Sequence, residues 1–405
     1  MRKLLLRFGG FAFLPLLSSL APLLLLPIIA RVGGVDGWAS VATAQAVGSF
    51  GAVAVSFGWN IAGPPKIAKL GPGPQSREVY VRSFGSRLIV FLILAPILAA
   101  ASAFLSAPAF VIDSMAMTTA MLVLGLSPGW YAIGLGQPRL LAVYEAFPKL
   151  AATVFAAVLL LSGFSIWTYP VLLLIASAGG LFTFHKSQMG SWWPISGQRV
   201  GVKKASLRSM AIPALVDLTG ASYASTPLPI MSATSGLVAT GMFASADKLY
   251  RYGMFGIAAL ANALQAWVLE SDSRRPLRRQ LAAISAHLVL GTLGFTLLAV
   301  AGPFATEILF GRVVAAAAPV CTWFCVAYFF LSAATPLMRN LILPNGRASI
   351  ILRATTVSAI VGIPTMVMGG MTIGGAGVAF GLALSESLIL FCILPEALRQ
   401  LKKLR

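Results

Sequence analysis

Acidic residues are scarce in this chain. Its 405 residues hold 11 Asp and Glu against 30 Lys and Arg, and charged side chains of either sign make up only 10%. A soluble protein carries about 25% charge, so a water-exposed globule is excluded. With it goes the soluble domain with a basic face that a nucleic-acid-binding protein needs. Cysteine and histidine are as thin. Cys321, Cys325 and Cys392 all lie in apolar segments, and Cys321 and Cys325, one helical turn apart, have no further Cys or His nearby to complete a metal site. They read as packing residues. His185 and His287 are likewise unaccompanied. The sequence contains no Gly-x4-Gly-Lys-Ser/Thr phosphate loop, no His-Glu-x-x-His and no paired carboxylates on a polar face. Neither an enzyme nor a bound metal or cofactor is expected.

What the chain has is apolar length: 58% hydrophobic residues and a mean hydropathy of +0.88. Crossing the hydrocarbon of a bilayer takes about 20 such residues. Segments of that kind fall near 8–30, 38–62, 86–106, 114–134, 146–163, 167–184, 209–231, 237–259, 281–301, 313–334, 352–369 and 374–394. The eighth ends near 259 or continues as one helix to Val268. Met1-Arg2-Lys3 and the apolar run behind it imitate a signal peptide. The run continues to Ile29, however, and reads as an uncleaved first helix. The fold expected is an all-α polytopic membrane protein of about twelve transmembrane helices.

Basic residues sort the loops. With the N-terminus inside, one set of alternate segments holds Lys66, Lys69, Arg77 and Arg82, then Lys186, Arg199, Lys203, Lys204 and Arg208. The same set holds Arg274, Arg275, Arg278 and Arg279, and the tail with Arg399, Lys402, Lys403 and Arg405. The opposite loops hold only Arg31 and Arg312, while Lys248 and Arg251 sit inside a span. This is the positive-inside pattern. It predicts a bacterial inner-membrane protein with both termini cytoplasmic, and it makes the net charge of +19 a mark of topology rather than of a polyanionic partner. Cytoplasmic Lys and Arg would also meet anionic lipid heads, and Trp192 and Trp193 beside Pro194 resemble interfacial anchors. The outer loops are too short to hold an ectoenzyme domain.

The polar stretch 187–208 divides the chain into a six-helix lobe over 1–186 and another over 209–405 that ends in the basic tail. Six spans is an even number, so the lobes would be parallel repeats about an axis along the membrane normal. Gly37-Trp38-Ala39-Ser40-Val41-Ala42 resembles Gly241-Met242-Phe243-Ala244-Ser245-Ala246, 204 positions on. Gly136-Gln137-Pro138-Arg139 resembles Pro344-Asn345-Gly346-Arg347, with the arginines 208 apart. Pro22 and Pro27 in the first span correspond to Pro227 and Pro229 in the seventh, and each can bend its helix by removing a backbone donor.

Three stretches carry a family resemblance. Ile29-Ala30-Arg31-Val32-Gly33-Gly34-Val35-Asp36-Gly37-Trp38 resembles the end of the first helix in oligosaccharide-lipid flippases of the O-antigen and capsule type. Gly241-Met242-Phe243-Ala244-Ser245-Ala246-Asp247-Lys248-Leu249 is similar to the start of their eighth helix. Gly374-Gly375-Ala376-Gly377-Val378-Ala379, followed by Glu386, is similar to their last. These proteins belong to the multidrug/oligosaccharidyl-lipid/polysaccharide exporter superfamily. The resemblance implies two six-helix lobes flanking a central cavity. It also implies a substrate, a polyprenyl-pyrophosphate-linked oligosaccharide moved from the inner to the outer leaflet, with polysaccharide polymerase and glycosyltransferases as partners.

Ionisable residues inside a membrane are costly and face a cavity or a partner. Five are expected there: Asp217 in the seventh span, Asp247, Lys248 and Arg251 in the eighth, and Glu386 in the twelfth. Lys248 lies about 16 Å along its helix, too deep to snorkel easily. Arg251 shares its face, and Asp247 precedes Arg251 by four residues, the acid-first order of an intrahelical pair. Two mid-depth cations would attract a pyrophosphate, which Arg can hold bidentately. Alternatively, Asp247–Arg251 and Asp217–Lys248 are structural ion pairs. Asp217 and Glu386 either carry H+ or Na+ for coupling or hydrogen-bond a neighbouring helix. A drug or small-molecule cation antiporter on the same fold is the second reading, although a cationic drug calls for acidic residues. A membrane polymerase or ligase of lipid-linked sugars is the third, and it lacks the large outer loop such enzymes use.

Overall fold

The computed structural model describes the backbone of residues 2–194, 204–270 and 275–404, and side chains from residue 25 onward except at 204–209 and 266. Every regular element among these residues is a helix. Residues 195–203 of the expected cytoplasmic linker, with Arg199 and Lys203, lie outside the described residues, as does Arg274.

The expected first and second spans form one helical run, α1 (Arg2–Ser56), whose only non-helical residue is Gly34, at φ 60°, ψ −161°. Left-handed φ costs glycine nothing and other residues about 1–2 kcal/mol. Helical dihedrals run through Pro22 and Pro27, and the break falls at Gly34 instead. The chain continues through α2 (Trp59–Leu70), α3 (Pro74–Phe104), α4 (Val111–Leu124), α5 (Gly129–Gly134) and α6 (Pro138–Leu141). A π-helical turn over Ala142–Ala146 leads into α7 (Phe147–Leu161), and α8 (Thr168–Phe184) follows. The second half holds α9 (Lys204–Ser225), α10 (Pro227–Thr234), α11 (Leu237–Val268), α12 (Pro276–Phe310), α13 (Ala318–Leu337), α14 (Ala348–Thr372) and α15 (Gly375–Lys402).

All twelve expected segments are helical, and nine helices among the described residues are long and apolar enough to cross a membrane. The seventh and eighth expected spans are outside those nine for local reasons. The seventh is interrupted at Thr226, before Pro227 opens α10, and the eighth carries Asp247, Lys248 and Arg251. The longer alternative for the eighth holds, since α11 ends at Val268.

Along α12, Leu293, Leu297, Val300 and Phe304 form one helical stripe exposed by 56–81%. A contiguous apolar surface of this kind is not kept in water, and lipid is the solvent it fits. The chain is a multi-pass membrane protein.

Two compact units make up the chain, Met1–Ala221 and Ser222–Arg405, so that the boundary falls within α9. In the first unit α1 packs on α3, α4 and α7, and α7 on α8. At the end assigned to the cytoplasm by charge, the Tyr80 ring lies 5.2–6.5 Å from those of Phe84, Trp130, Tyr131 and Phe184. In the second unit α15 packs on α13 and α14. A Cβ on Gly377 would lie 2.3 Å from the Gly369 carbonyl oxygen, so the closest approach of α14 to α15 exists only because both positions lack a side chain.

Candidate functional site

The first turns of α11 are built of small residues. Ala244, Ser245 and Ala246 are buried, and Ser245 satisfies its hydroxyl on the Gly241 carbonyl four residues back. Close packing there carries the next residue, Asp247, into the interior, where it is 1% exposed. Arg251 meets it from the following turn, its Nε donating to Asp247 Oδ2 at 2.7 Å. Lys248 Nζ lies 3.7 Å from the same oxygen, close enough for charge pairing but too far for a hydrogen bond. One carboxylate therefore serves two cations. Of the two, Lys248 is the less closely compensated cation, and its ion pair is with Asp247.

Arg251 has a second partner. Its Nη2 donates to the Ala224 carbonyl at 2.8 Å. Ala224 is in the last turn of α9, where helix carbonyls lose their amide partners. Pro227 offers no N–H, and the helix stops at Ser225. A guanidinium at this end meets both an orphan acceptor and the negative pole of the helix. Pro227 occupies the first position of α10 and Pro229 its third.

Glu386, on α15, is 3% exposed, and its Oε2 has no hydrogen-bond partner among the described residues. Tyr250, on α11 beside Arg251, is buried as well. Tyr250 itself is wedged against Phe324 of α13, ring centres 5.3 Å apart. Asp217 belongs to the first unit, and its Oδ2 is buried with no hydrogen-bond partner among the described residues. The second-unit cluster is thus Asp247, Lys248 and Arg251.

The first unit holds a network that the sequence reading missed. Lys149 Nζ donates to Glu145 Oε1 at 2.8 Å, and the Ser127 hydroxyl donates to Glu145 Oε2 at 2.5 Å. Arg87, 0% exposed, donates from Nη1 to the carbonyls of Gly125 at 3.1 Å and Ser127 at 2.9 Å. Those carbonyls follow the end of α4, so in each unit an arginine, fully buried at Arg87 and half-buried at Arg251, closes the C-terminus of a helix. The Arg87 guanidinium also lies 5.7 Å from the Trp130 ring centre, in cation–π range. A cavity with room for about one water molecule adjoins Glu145, Lys149, Ser127 and Ser177. Arg87 and Lys149 fall in the first residues of the segments 86–106 and 146–163 and are not among the five ionisable residues expected inside the membrane, yet both are buried. The readable signal was the acid-first spacing Glu145–Lys149, the same as Asp247–Arg251.

His185 is not alone, since its Nε2 lies 2.9 Å from the Tyr80 hydroxyl. Cys325 Sγ donates to the Cys321 carbonyl at 2.8 Å, a packing contact. No group of three or more metal-ligating side chains occurs among the described residues. Trp192 and Trp193 are exposed.

No protein-family model matches the sequence, and no curated protein does. Solved structures do match the fold. A multidrug resistance MATE family transporter of the MOP superfamily, in an inward-facing conformation, has a TM-score of 0.67 at 13% identity, over 96% of this chain and 95% of its own. The lipid II flippase MurJ, inward closed, has a TM-score of 0.66 at 13% identity, over 97% of this chain and 89% of its own. A MOP superfamily transporter from Pyrococcus furiosus, for which reverse polarity of the binding pocket suggests a different function, has a TM-score of 0.58 at 13% identity, over 99% and 96%. The chain has the fold of these transporters.

Proposed function

We propose that this protein is a flippase that moves a polyprenyl-pyrophosphate-linked oligosaccharide from the inner to the outer leaflet by alternating access. Cell-surface polysaccharide assembly would then supply its partners, glycosyltransferases before it and a polymerase after it. One observation carries the reading: Lys248 and Arg251 share a single carboxylate oxygen inside α11. That triad holds one more cation than anion, a surplus that favours an anionic group such as a pyrophosphate over a cationic one. The break at Thr226–Pro227, beside the carbonyl that Arg251 holds, is a natural hinge for the cycle.

The second reading, export of a cationic drug, draws on the likeness to the MATE transporter. It calls for surplus negative charge, and the triad has the opposite sign. Reconstitution into vesicles with a fluorescent polyprenyl-pyrophosphate oligosaccharide tests both. Protein-dependent appearance of the label in the opposite leaflet is expected. Movement of a cationic dye but not of the lipid would replace the first reading with the second.

A further inference from the structure

We infer that a cavity of the first unit, at the end assigned to the outside by charge, is a sugar-binding subsite that takes a ring of the oligosaccharide as it reaches the outer leaflet. The source of that sugar rests on the flippase reading, while the chemistry of the site stands on its own. Three connections that the loop charges place on the outer side meet there. They are the turn of α1 at Val32 and Gly33, the stretch from Ala109 to Asp113 that opens α4, and the stretch from Gly163 to Trp167 before α8. Together they enclose about 600 Å³, a volume typical of small-molecule sites.

The walls are fixed before any ligand arrives. A Cβ on Gly33 would collide with Ile166, so the turn of α1 rests directly on the α7–α8 connection. The Ala107 N–H donates to Ser40 Oγ at 3.0 Å and ties the α3–α4 connection to α1. The Thr168 hydroxyl donates to the Ser165 carbonyl at 2.7 Å and closes the start of α8. A ligand entering such a site has little chain to order.

The lining suits a sugar. Phe164 and Trp167 are half-exposed, and Phe110 lines the same space. The C–H bonds on one face of a pyranose carry partial positive charge and meet the negative face of an aromatic ring. Asp113 brings a carboxylate that accepts hydrogen bonds from sugar hydroxyls, and Ser165 brings a hydroxyl that donates or accepts. No Lys or Arg is among the described residues of the lining, so a phosphate would meet repulsion from Asp113 without compensation. An ammonium group also suits rings and a carboxylate, but it would fill a small part of this volume. Interfacial anchoring accounts for exposed aromatic rings. It does not account for a carboxylate residue sunk to 8% exposure in the same cavity.

The test applies the full chain, labelled and held in lipid nanodiscs, to an array of soluble bacterial oligosaccharides free of lipid and phosphate, with immobilised choline as the ammonium control. Binding to at least one neutral glycan is expected. Asp113→Asn, which keeps the shape, should weaken that binding about tenfold, the worth of a hydrogen bond to a charged group. Trp167→Leu should weaken it by a similar factor, and Trp167→Phe, which keeps a ring, should retain most of it. A folding defect would not separate Leu from Phe in this way. A chain that binds no glycan overturns the inference. So does binding that none of the three variants changes, and so does capture by choline alone. The two readings fail separately. If the labelled polyprenyl lipid does not cross in vesicles while glycan binding follows the variants, the flippase reading falls and the sugar site stands. If the lipid crosses and no glycan binds, the sugar site falls alone.

Discussion

Arg251 donates a 2.8 Å hydrogen bond to the carbonyl of Ala224, 27 residues earlier in the chain. With its other arm on Asp247, this arginine ties the broken end of α9 to the middle of α11. Arg251→Ala removes both contacts yet leaves Asp247 beside Lys248, so the carboxylate is not stranded. The variant should remain in the membrane at normal abundance and lose transport. Arg251→Lys, which keeps the charge but not the planar fork, should recover part of it. Membrane immunoblots with the leaflet assay check this. If Asp247→Ala combined with Arg251→Ala restores transport, Arg251 is only a structural partner and not a pyrophosphate ligand.

Glu145→Ala should be more damaging to the fold than the removal of both partners. It leaves Lys149, 6% exposed, without its carboxylate, and breaking a buried pair from one side costs about 3–5 kcal/mol. Glu145→Ala with Lys149→Met removes both charges and should regain most of the thermal stability lost by the single variant. Melting of the detergent-solubilised protein measures the difference.

Arg87→Met should destabilise the first unit by roughly 1–3 kcal/mol, the cost of leaving buried acceptors unmet. The carbonyls at stake are those of Gly125 and Ser127. Arg87→Lys should restore less than half, because one ammonium on a flexible stem replaces a fixed fork. Melting temperatures of the three proteins in one detergent give the comparison. Equal values for wild type and Arg87→Met would show that the capping contributes nothing.

Reporter fusions should read as cytoplasmic at both Ser196 and Arg405, positions outside the described residues whose side is set by the charge pattern of the loops. A periplasmic signal at either would overturn the orientation of every span, and with it the direction assigned to transport.

Hydropathy made the helices legible, because length and apolar content are properties of contiguous residues. The Asp247–Arg251 pair was legible for the same reason, since helical spacing alone brings the two together. The partners of Arg87 were not. They are backbone oxygens 38 and 40 residues away, and a carbonyl has no signature in residue type. Ala224 was invisible on the same grounds. Lys149 failed differently: a span boundary drawn near 146 put Glu145 in a loop and hid an acid-first spacing that repeats the one in α11. Proline drew attention in the first span, where helical dihedrals continue through Pro22 and Pro27 and the left-handed residue is Gly34.

The single non-helical residue in α1 bears on protein engineering. Connections between membrane crossings are the usual places to insert an epitope tag or a cleavage site, because slack chain absorbs the extra length. Here only Gly34 separates two helical stretches, and a Cβ at neighbouring Gly37 would already crowd Ile166 and Phe110. A tag placed at this turn would have to unwind helix to make room for itself. The first two crossings are better probed from their ends away from this turn.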